Sequence, residues 1–436
     1  MNVEKKLDDL PLTGAHYRII AVSGLGTLFD SMDVGIISFV LAALIGAWHL
    51  HALMIGIVGS ISLVGMAIGA VLSGLIADKV GRRAIYMTTL LVYSLATGLS
   101  ALSWSVLSLI ILRFIVGLGL GGELPVTSTL VTEFLPEKQR GRGIVLLESF
   151  WAVGWIVAAL VAYLLIPHWG WRIAFVVGAV PALYVLYLRR NVPESPRYLE
   201  KKGRHKEAVQ ALRSLGVKLD DTADPGRDEK PVPVPKGALW TARYRKRTIM
   251  LWILWLGMNF AYYGMFLWLP SVMVDHGFSL VNSLKYTLIV TIAQLPGYFS
   301  AAWLVEKWGR KLVLVVYASL SAVAAGLFGY ASSSAELVVF GSLLSFFNLG
   351  AWGVTYAYTV EQYPTVLRAS GSGVAMGFGR IGGIIGPLIV GMMLSAHWPM
   401  IRVFGLFAAV LLVVAISVGV MGKETKGLGL EAIEEM

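Results

Sequence analysis

The sequence contains twelve apolar stretches, each close to the roughly 20 residues that a helix needs to cross a bilayer. Only 14% of the 436 residues are charged, against roughly 25% in soluble domains, and a soluble fold could not bury the apolar surplus. These proportions argue against soluble enzymes, nucleic-acid-binding domains and disordered scaffolds. The predicted fold is an all-α integral membrane protein with transmembrane helices at residues 18–46, 53–77, 84–102, 106–133, 143–166, 172–190, 248–274, 284–304, 312–331, 336–362, 370–396 and 402–421.

The basic residues are concentrated on one side of the predicted membrane. If Met1 is cytoplasmic, 31 of the 36 Lys and Arg residues fall in or next to cytoplasmic segments, which predicts that both termini are cytoplasmic. This bias explains most of the net charge of +10, so we expect no nucleic-acid partner. The chain has no Cys, which excludes disulfides and thiolate metal sites, and we predict no metal site.

A fixed offset of 228 residues relates the two halves of the chain. Because two separate loops agree on this offset, we predict a parallel repeat of two six-helix bundles, residues 1–190 and 248–436, joined by a cytoplasmic linker, residues 191–247. We expect the matched loop charges to form compact cytoplasmic clusters; ordinary solvated loop charge is the alternative. The matched pairs are Asp78 with Glu306, Arg82 with Arg310, Glu133 with Glu361, and Arg140 with Arg368.

Six ionisable residues lie deep in the apolar spans without a charged counterpart at this offset. Such charges are costly unless paired or hydrated, which favours a functional role. Asp30 and Asp33 face one side of the first helix, and Asp33 and Arg113 have similar depths, so we predict an Asp33–Arg113 pair that loads or releases a proton when separated or hydrated. A static salt bridge is the alternative, and Glu123 or Glu148 could simply hydrogen-bond a neighbouring helix. The six are Asp30, Asp33, Arg113, Glu123, Glu148 and Arg380, of which the first four form the predicted proton-coupling set.

Polar aromatic stripes supply a candidate binding site. Rings on both sides of a cavity suit a planar aromatic ligand, although packing explains many single rings. Arg380 lies in a Gly-rich segment and is the predicted partner of a ligand carboxylate, with two alternatives: Arg380 pairs with an acid inside the bundle, or Arg113 anchors the ligand. The predicted substrate-binding residues are Trp151, Asn259, Tyr262, Tyr263, Asn348, Trp352, Tyr356 and Arg380.

Several motifs resemble those of the major facilitator superfamily. Residues 74–83 (GLIADKVGRR) resemble its loop signature, and residues 193–197 (PESPR) resemble the motif after the sixth helix of sugar-porter-like members. The tail, residues 422–427, is similar to their final motif, with Gly422 in place of the usual Pro. Residues 29–33 (FDSMD) resemble the paired-Asp motif of the aromatic-acid proton symporters. The runs that resemble the bacterial niacin (nicotinate) permeases are residues 118–129, 146–155, 262–272, 294–303 and 345–353.

This resemblance implies a secondary transporter of the bacterial cytoplasmic membrane that imports a small aromatic monocarboxylate, above all nicotinate, together with protons by alternating access. It also implies that the matched loop charges close the cytoplasmic side. We expect a monomer, no enzymatic activity and no cofactor, because no GxxxxGK[ST] phosphate-binding loop is present and the proton gradient supplies the energy. The alternatives are a sugar-porter-like proton symporter and a membrane protein that binds a ligand without transporting it.

Overall fold

A computed structural model describes residues 13–135, 140–213, 237–275, 277–363 and 365–426, and helices dominate these ranges. The helices are α1 (Gly14–Trp48), α2 (Ala52–Val80), α3 (Arg82–Ser100), α4 (Val106–Phe134), α5 (Arg140–Trp169), α6 (Arg172–Gly178), α7 (Pro181–Asn191), α8 (Pro196–Lys201), α9 (His205–Arg213), α10 (Arg245–Asp275), α11 (Leu280–Ile292), α12 (Gln294–Trp308), α13 (Arg310–Tyr330), α14 (Ser334–Glu361), α15 (Thr365–Ser395) and α16 (Met400–Met421).

Every predicted transmembrane stretch corresponds to helical structure. Among the described residues, ten spans are long and apolar enough to cross a membrane, with α11 and α12 counted together as Leu280–Trp308. The remaining two stretches correspond to α3 and to the shorter apolar segment formed by α6 and α7. The predicted all-α membrane fold is therefore confirmed.

Two of the predicted spans are interrupted, and proline explains both interruptions. Proline has no backbone N–H and cannot bond to the carbonyl four residues earlier. Pro181 is the first residue of α7, directly after the turn that ends α6. Pro296 lies two residues into α12, so the carbonyl of Ile292, the last residue of α11, lacks its usual helical donor.

Large apolar side chains are exposed on the described helices. Val71 and Leu75 of α2 are 63% and 65% exposed, and Ile416 of α16 is 62% exposed. In a soluble protein such surfaces would promote association, whereas in a bilayer they face lipid tails. The exposed apolar side chains therefore form the lipid-facing surface.

Tertiary contacts separate the chain into two units. The first unit comprises Met1–Ile36, Ile61–Ala158 and Arg172–Lys230, and the second comprises Ile37–Ser60, Ala159–Trp171 and Pro231–Met436. The second unit thus includes one end of α1, α2 and α5. The division into bundles at residues 1–190 and 248–436 follows the sequence repeat and stays a prediction.

In the first unit, glycine brings α4 into close contact with α2. A Cβ atom at Gly117 would collide with the Ser62 carbonyl oxygen, and a Cβ atom at Gly121 would collide with that of Met66. Only glycine permits this approach of two helix backbones. The approach fixes the depth and rotation of α4, which carries Arg113 and Glu123.

In the second unit, part of α1 packs on α10 beside a proline. Pro270 has no N–H, so the carbonyl of Phe266, four residues earlier, is free to accept another donor. The Ser38 hydroxyl lies 3.0 Å from this oxygen and 2.8 Å from the carbonyl oxygen of Leu267. The Ser38 hydroxyl therefore replaces a helical hydrogen bond that the sequence of α10 removes.

Candidate functional site

A buried ion pair joins α1 and α4 in the first unit. Arg113 Nη2 lies 2.7 Å from Asp33 Oδ2, and the two side chains are 0% and 1% exposed. The Thr97 hydroxyl donates to Asp33 Oδ1 at 2.5 Å, and Arg113 Nε donates to Ser62 Oγ at 3.2 Å. Both carboxylate oxygens of Asp33 therefore have donors, which satisfies this anion in a dry environment.

A second pair of acids lies beside this ion pair in the first unit. Asp30 of α1 and Glu123 of α4 face each other, and both residues are buried. None of their four carboxylate oxygens has a hydrogen-bond partner within the described structure. Asp30 and Asp33 lie almost one helical turn apart, yet their carboxylates have different surroundings.

Helix α5 brings two more predicted residues to the first unit. Glu148 and Trp151 are both buried, at 8% and 9% exposure. Three residues beyond Trp151, a Cβ atom at Gly154 would collide with Ser31 Oγ and the Leu28 carbonyl oxygen. This contact places α5 directly against the segment of α1 that carries Asp30 and Asp33.

Aromatic rings of α10 and α14 meet inside the second unit. The Tyr262 ring centroid lies 5.1 Å from that of Trp352, with the ring planes 33° apart. Trp255 packs edge-on against Tyr356 at 5.0 Å and against Trp352 at 6.0 Å. Trp255 and Tyr262 are buried, whereas Trp352 and Tyr356 are partly exposed. We call Trp255, Tyr262, Trp352 and Tyr356 the ring cluster.

Further aromatic residues extend the ring cluster along α10. Tyr263 and Phe266 lie 5.3 Å and 5.1 Å from Tyr262, measured between ring centroids. Sequence analysis did not select Trp255, although it lies one turn before Asn259 on the stripe that leads to Tyr262. Its indole Nε1 donates to Thr359 Oγ1 at 2.9 Å, which fixes the ring that supports Trp352 and Tyr356.

Arg380 of α15 lies next to α10. A Cβ atom at Gly379 would meet Trp255 and the Asn259 amide, and one at Gly383 would meet the Tyr263 ring. Arg380 is partly exposed, and within the described part of the chain it makes no ion pair. The second unit thus holds an accessible guanidinium on a helix that packs against the ring-bearing face of α10.

The two predicted asparagines make contacts within the second unit. Asn259 Nδ2 donates to the Trp255 carbonyl oxygen at 2.8 Å, which leaves its Oδ1 near Gly383. Asn348 is fully buried, and its Nδ2 lies 3.4 Å from Ser321 Oγ of α13. Asn348 therefore packs against α13, and its role in binding stays a prediction.

The predicted cytoplasmic charges form equivalent pairs in the two units. Arg82 Nε lies 3.4 Å from Glu133 Oε1 in the first unit, and Arg310 Nε lies 3.1 Å from Glu361 Oε2 in the second. The 228-residue offset relates these two pairs. Glu306 lies 3.8 Å from Arg310 and is largely exposed. The side chains of three predicted residues lie outside the described structure, namely Asp78, Arg140 and Arg368.

Two further acids cap the helices that follow these loops. The Glu194 carboxylate accepts the backbone N–H groups of Arg82 and Arg83, each at 3.1 Å. The Glu424 carboxylate accepts those of Arg310 and Lys311, at 2.9 Å and 3.1 Å. Each acid thus neutralises the positive end of a helix dipole from outside the helix.

Glycine makes room for each of these caps. Gly81 and Gly309 precede the capped helices with φ angles of 116° and 92°, a backbone region that favours glycine. A Cβ atom at either position would collide with the capping carboxylate. Sequence analysis did not assign Glu194 and Glu424 to the cytoplasmic clusters because they are related by an offset of 230 residues, and the fixed offset of 228 paired Glu194 with Gly422.

We expect Glu194→Ala to destabilise the first unit by about 0.5–2 kcal/mol, because it leaves two N–H groups at the start of α3 without their cap. Glu194→Gln keeps an acceptor and should cost less. Thermal unfolding in detergent measures both effects. Glu207→Ala is the control, since Glu207 is about half exposed and pairs only with Arg204 on the surface. Equal midpoints for Glu194→Ala and the parent chain would contradict the capping role.

Comparison with known proteins places the chain in a family. The family model described as sugar (and other) transporter matches residues 25–436. The chain is 48% identical over 437 residues to the niacin transporter NiaP of Acinetobacter baylyi, covering 99% of this chain and 100% of that protein. It is 49% identical over 414 residues to the putative niacin/nicotinamide transporter NiaP of Bacillus subtilis, covering 95% and 98%.

A solved structure supports the same fold. The inward-open xylose transporter XylE from E. coli matches with a TM-score of 0.76 at 20% identity, covering 96% of this chain and 99% of that one. At this identity the match supports the fold alone. The family match, the near-complete alignment with two relatives and the shared fold agree, and the chain belongs to the sugar (and other) transporter family of the major facilitator superfamily.

Proposed function

We propose that this protein imports nicotinate together with protons across the bacterial cytoplasmic membrane, as a monomer with both termini in the cytoplasm. The observation that carries the substrate proposal is the alignment of nearly the whole chain, at 48% identity, with a protein named as a niacin transporter. The basic residues on one side of the predicted membrane support the orientation.

The second unit supplies groups that suit a flat aromatic anion. Trp352 and Tyr356 are partly exposed members of the ring cluster, so a pyridine ring could stack on them. Arg380 is accessible and could bind the carboxylate through two hydrogen bonds. Arg113, the alternative anchor, is fully buried and already paired with Asp33, which favours Arg380.

The first unit supplies groups that suit proton coupling. Asp30, Asp33, Arg113 and Glu123 are all buried there, at the depth where an ionisable group takes part in transport more often than in packing. No cofactor is needed, because movement of a proton down its gradient can drive accumulation of the anion. Trp151 and the two asparagines remain candidate substrate-binding residues, and the paired cytoplasmic charges remain candidate gate residues.

Uptake of labelled nicotinate into proteoliposomes tests this function. We expect nicotinate to accumulate when an inward proton gradient is imposed, and to equilibrate without accumulation when a protonophore removes the gradient. Liposomes without protein provide the background. Accumulation that is insensitive to the protonophore would refute proton coupling.

Competition distinguishes the candidate substrates. Unlabelled nicotinate should compete better than nicotinamide or benzoate, because only nicotinate combines the carboxylate with the pyridine ring. Xylose should not compete, since the ring cluster and Arg380 favour an aromatic anion over a neutral sugar. Inhibition by xylose but not by nicotinate would instead support the sugar-porter alternative.

A further inference from the structure

The two acidic sites of the first unit differ in how their carboxylates are satisfied. Asp33 accepts hydrogen bonds from Arg113 and Thr97, and the guanidinium compensates its charge. Asp30 and Glu123 are 2% and 0% exposed, and no donor of the described structure reaches any of their four oxygens. The residues of the predicted proton-coupling set therefore do not share one environment.

The groups around Asp30 and Glu123 do not compensate a negative charge. Among the described residues, the titratable groups that face this pair are Asp33, Tyr86, Tyr93 and Tyr184, and none of them is a cation. The Tyr86 hydroxyl donates to the Ser23 carbonyl oxygen, and the Tyr184 hydroxyl donates to that of Val22. Tyr93, beside Asp30, has no hydrogen-bond partner within the described structure. Arg113, the nearby cation, is held by Asp33.

A proton held within the pair resolves this arrangement. Two buried carboxylates without a cation are very costly as a pair of anions. If one carboxyl group carries the proton, its O–H group can donate to the facing carboxylate, so one proton both removes a charge and supplies the missing donor. Such a pair gains and loses its proton as a unit.

We propose that Asp30 and Glu123 hold the transported proton between them, while Asp33 stays ionised in its pair with Arg113. This inference rests on the proposed function and assigns its proton site. A proton from the outside forms an O–H bond on the pair, and that bond breaks when water from the cytoplasmic side reaches the pair and accepts the proton. The net change is one proton moved inward, with both carboxyl groups restored.

Transport assays in proteoliposomes separate the two acidic sites. We expect Glu123→Gln and Asp30→Asn to lose accumulation of nicotinate under a proton gradient but to continue exchanging labelled for unlabelled nicotinate, because a permanently neutral pair no longer needs to release a proton. Asp33→Asn should lose both accumulation and exchange, because it leaves Arg113 buried without its anion. Glu123→Asp, which keeps both carboxyl groups, should recover part of the accumulation.

Infrared difference spectroscopy provides a measurement that does not depend on transport. Raising the pH should remove the carbonyl band of a protonated carboxylic acid in the parent chain, and this band should be absent in Glu123→Gln and in Asp30→Asn but present in Asp33→Asn. Glu207→Gln, at an exposed acid of α9, is the control and should behave as the parent in both assays.

The outcomes distinguish this inference from the proposed function. If the parent chain does not exchange nicotinate, the proposed substrate is wrong, and the infrared band alone decides whether Asp30 and Glu123 hold a proton. If Asp30→Asn and Glu123→Gln still accumulate nicotinate under a proton gradient, or if the band disappears only in Asp33→Asn, the proton belongs elsewhere and the inference is overturned.

Discussion

Replacing Arg113 with glutamine is expected to destabilise the first unit by about 3–5 kcal/mol, because Asp33 then stays buried without its cation. The pair is almost completely excluded from solvent, and the Thr97 hydroxyl alone would remain as a close donor to Asp33. Unfolding in detergent measures the loss. Lys285→Gln, outside the predicted proton-coupling set, serves as the control.

A double-mutant cycle tests whether this loss arises from the pair itself. Asp33→Asn and Arg113→Gln should each be strongly destabilising, but their combination should cost less than the sum, because the double variant buries no charge. Additive losses would show that the two residues stabilise the unit independently. That result would contradict the ion pair as the reason for their burial.

Ligand binding in the second unit is expected to separate stacking from charge. Trp352→Ala should weaken binding of nicotinate and of uncharged nicotinamide alike by about 1–3 kcal/mol, if stacking of bases on aromatic side chains is a fair guide. Arg380→Gln should weaken binding of nicotinate by about 1.5–3 kcal/mol and leave nicotinamide nearly unchanged, because only the anion makes a charge-assisted hydrogen bond. Calorimetry or fluorescence titration of the purified protein measures both.

Matched controls exclude a general defect in this comparison. Trp104 is 81% exposed, and Arg402 is an exposed arginine near Trp398, so Trp104→Ala and Arg402→Gln should bind both ligands as the parent does. If Arg380→Gln weakens nicotinate and nicotinamide equally, Arg380 supports the fold of the site and does not recognise the carboxylate.

Sequence alone was sufficient for the features that depend on spacing along one helix or on repetition. Twelve stretches of membrane-spanning length predicted twelve helical segments because hydrocarbon thickness sets helix length. The 228-residue offset predicted equivalent charges in the two halves, and the Arg82–Glu133 and Arg310–Glu361 pairs follow it. Similar depth in the membrane was enough to suggest that Asp33 and Arg113 meet.

Features that depend on two helices far apart in sequence required the tertiary structure. The spacing of Asp30 and Asp33 predicted one shared face, yet Asp33 meets Arg113 and Thr97, while Asp30 meets Glu123. Trp255 joined the ring cluster only because α14 packs across its stripe. Glu424 was missed because its offset differs by two residues from the repeat.

The common reason is that helical periodicity gives the direction of a side chain about its own axis but not the atoms that it meets. The sequence by itself determined the number, length and repetition of the membrane helices, because these follow from local hydrophobicity and chain order. Only the tertiary structure decided which buried acid has a counter-charge, because the donors to Asp33 lie 64 and 80 residues away along the chain and are positioned by close packing of helices.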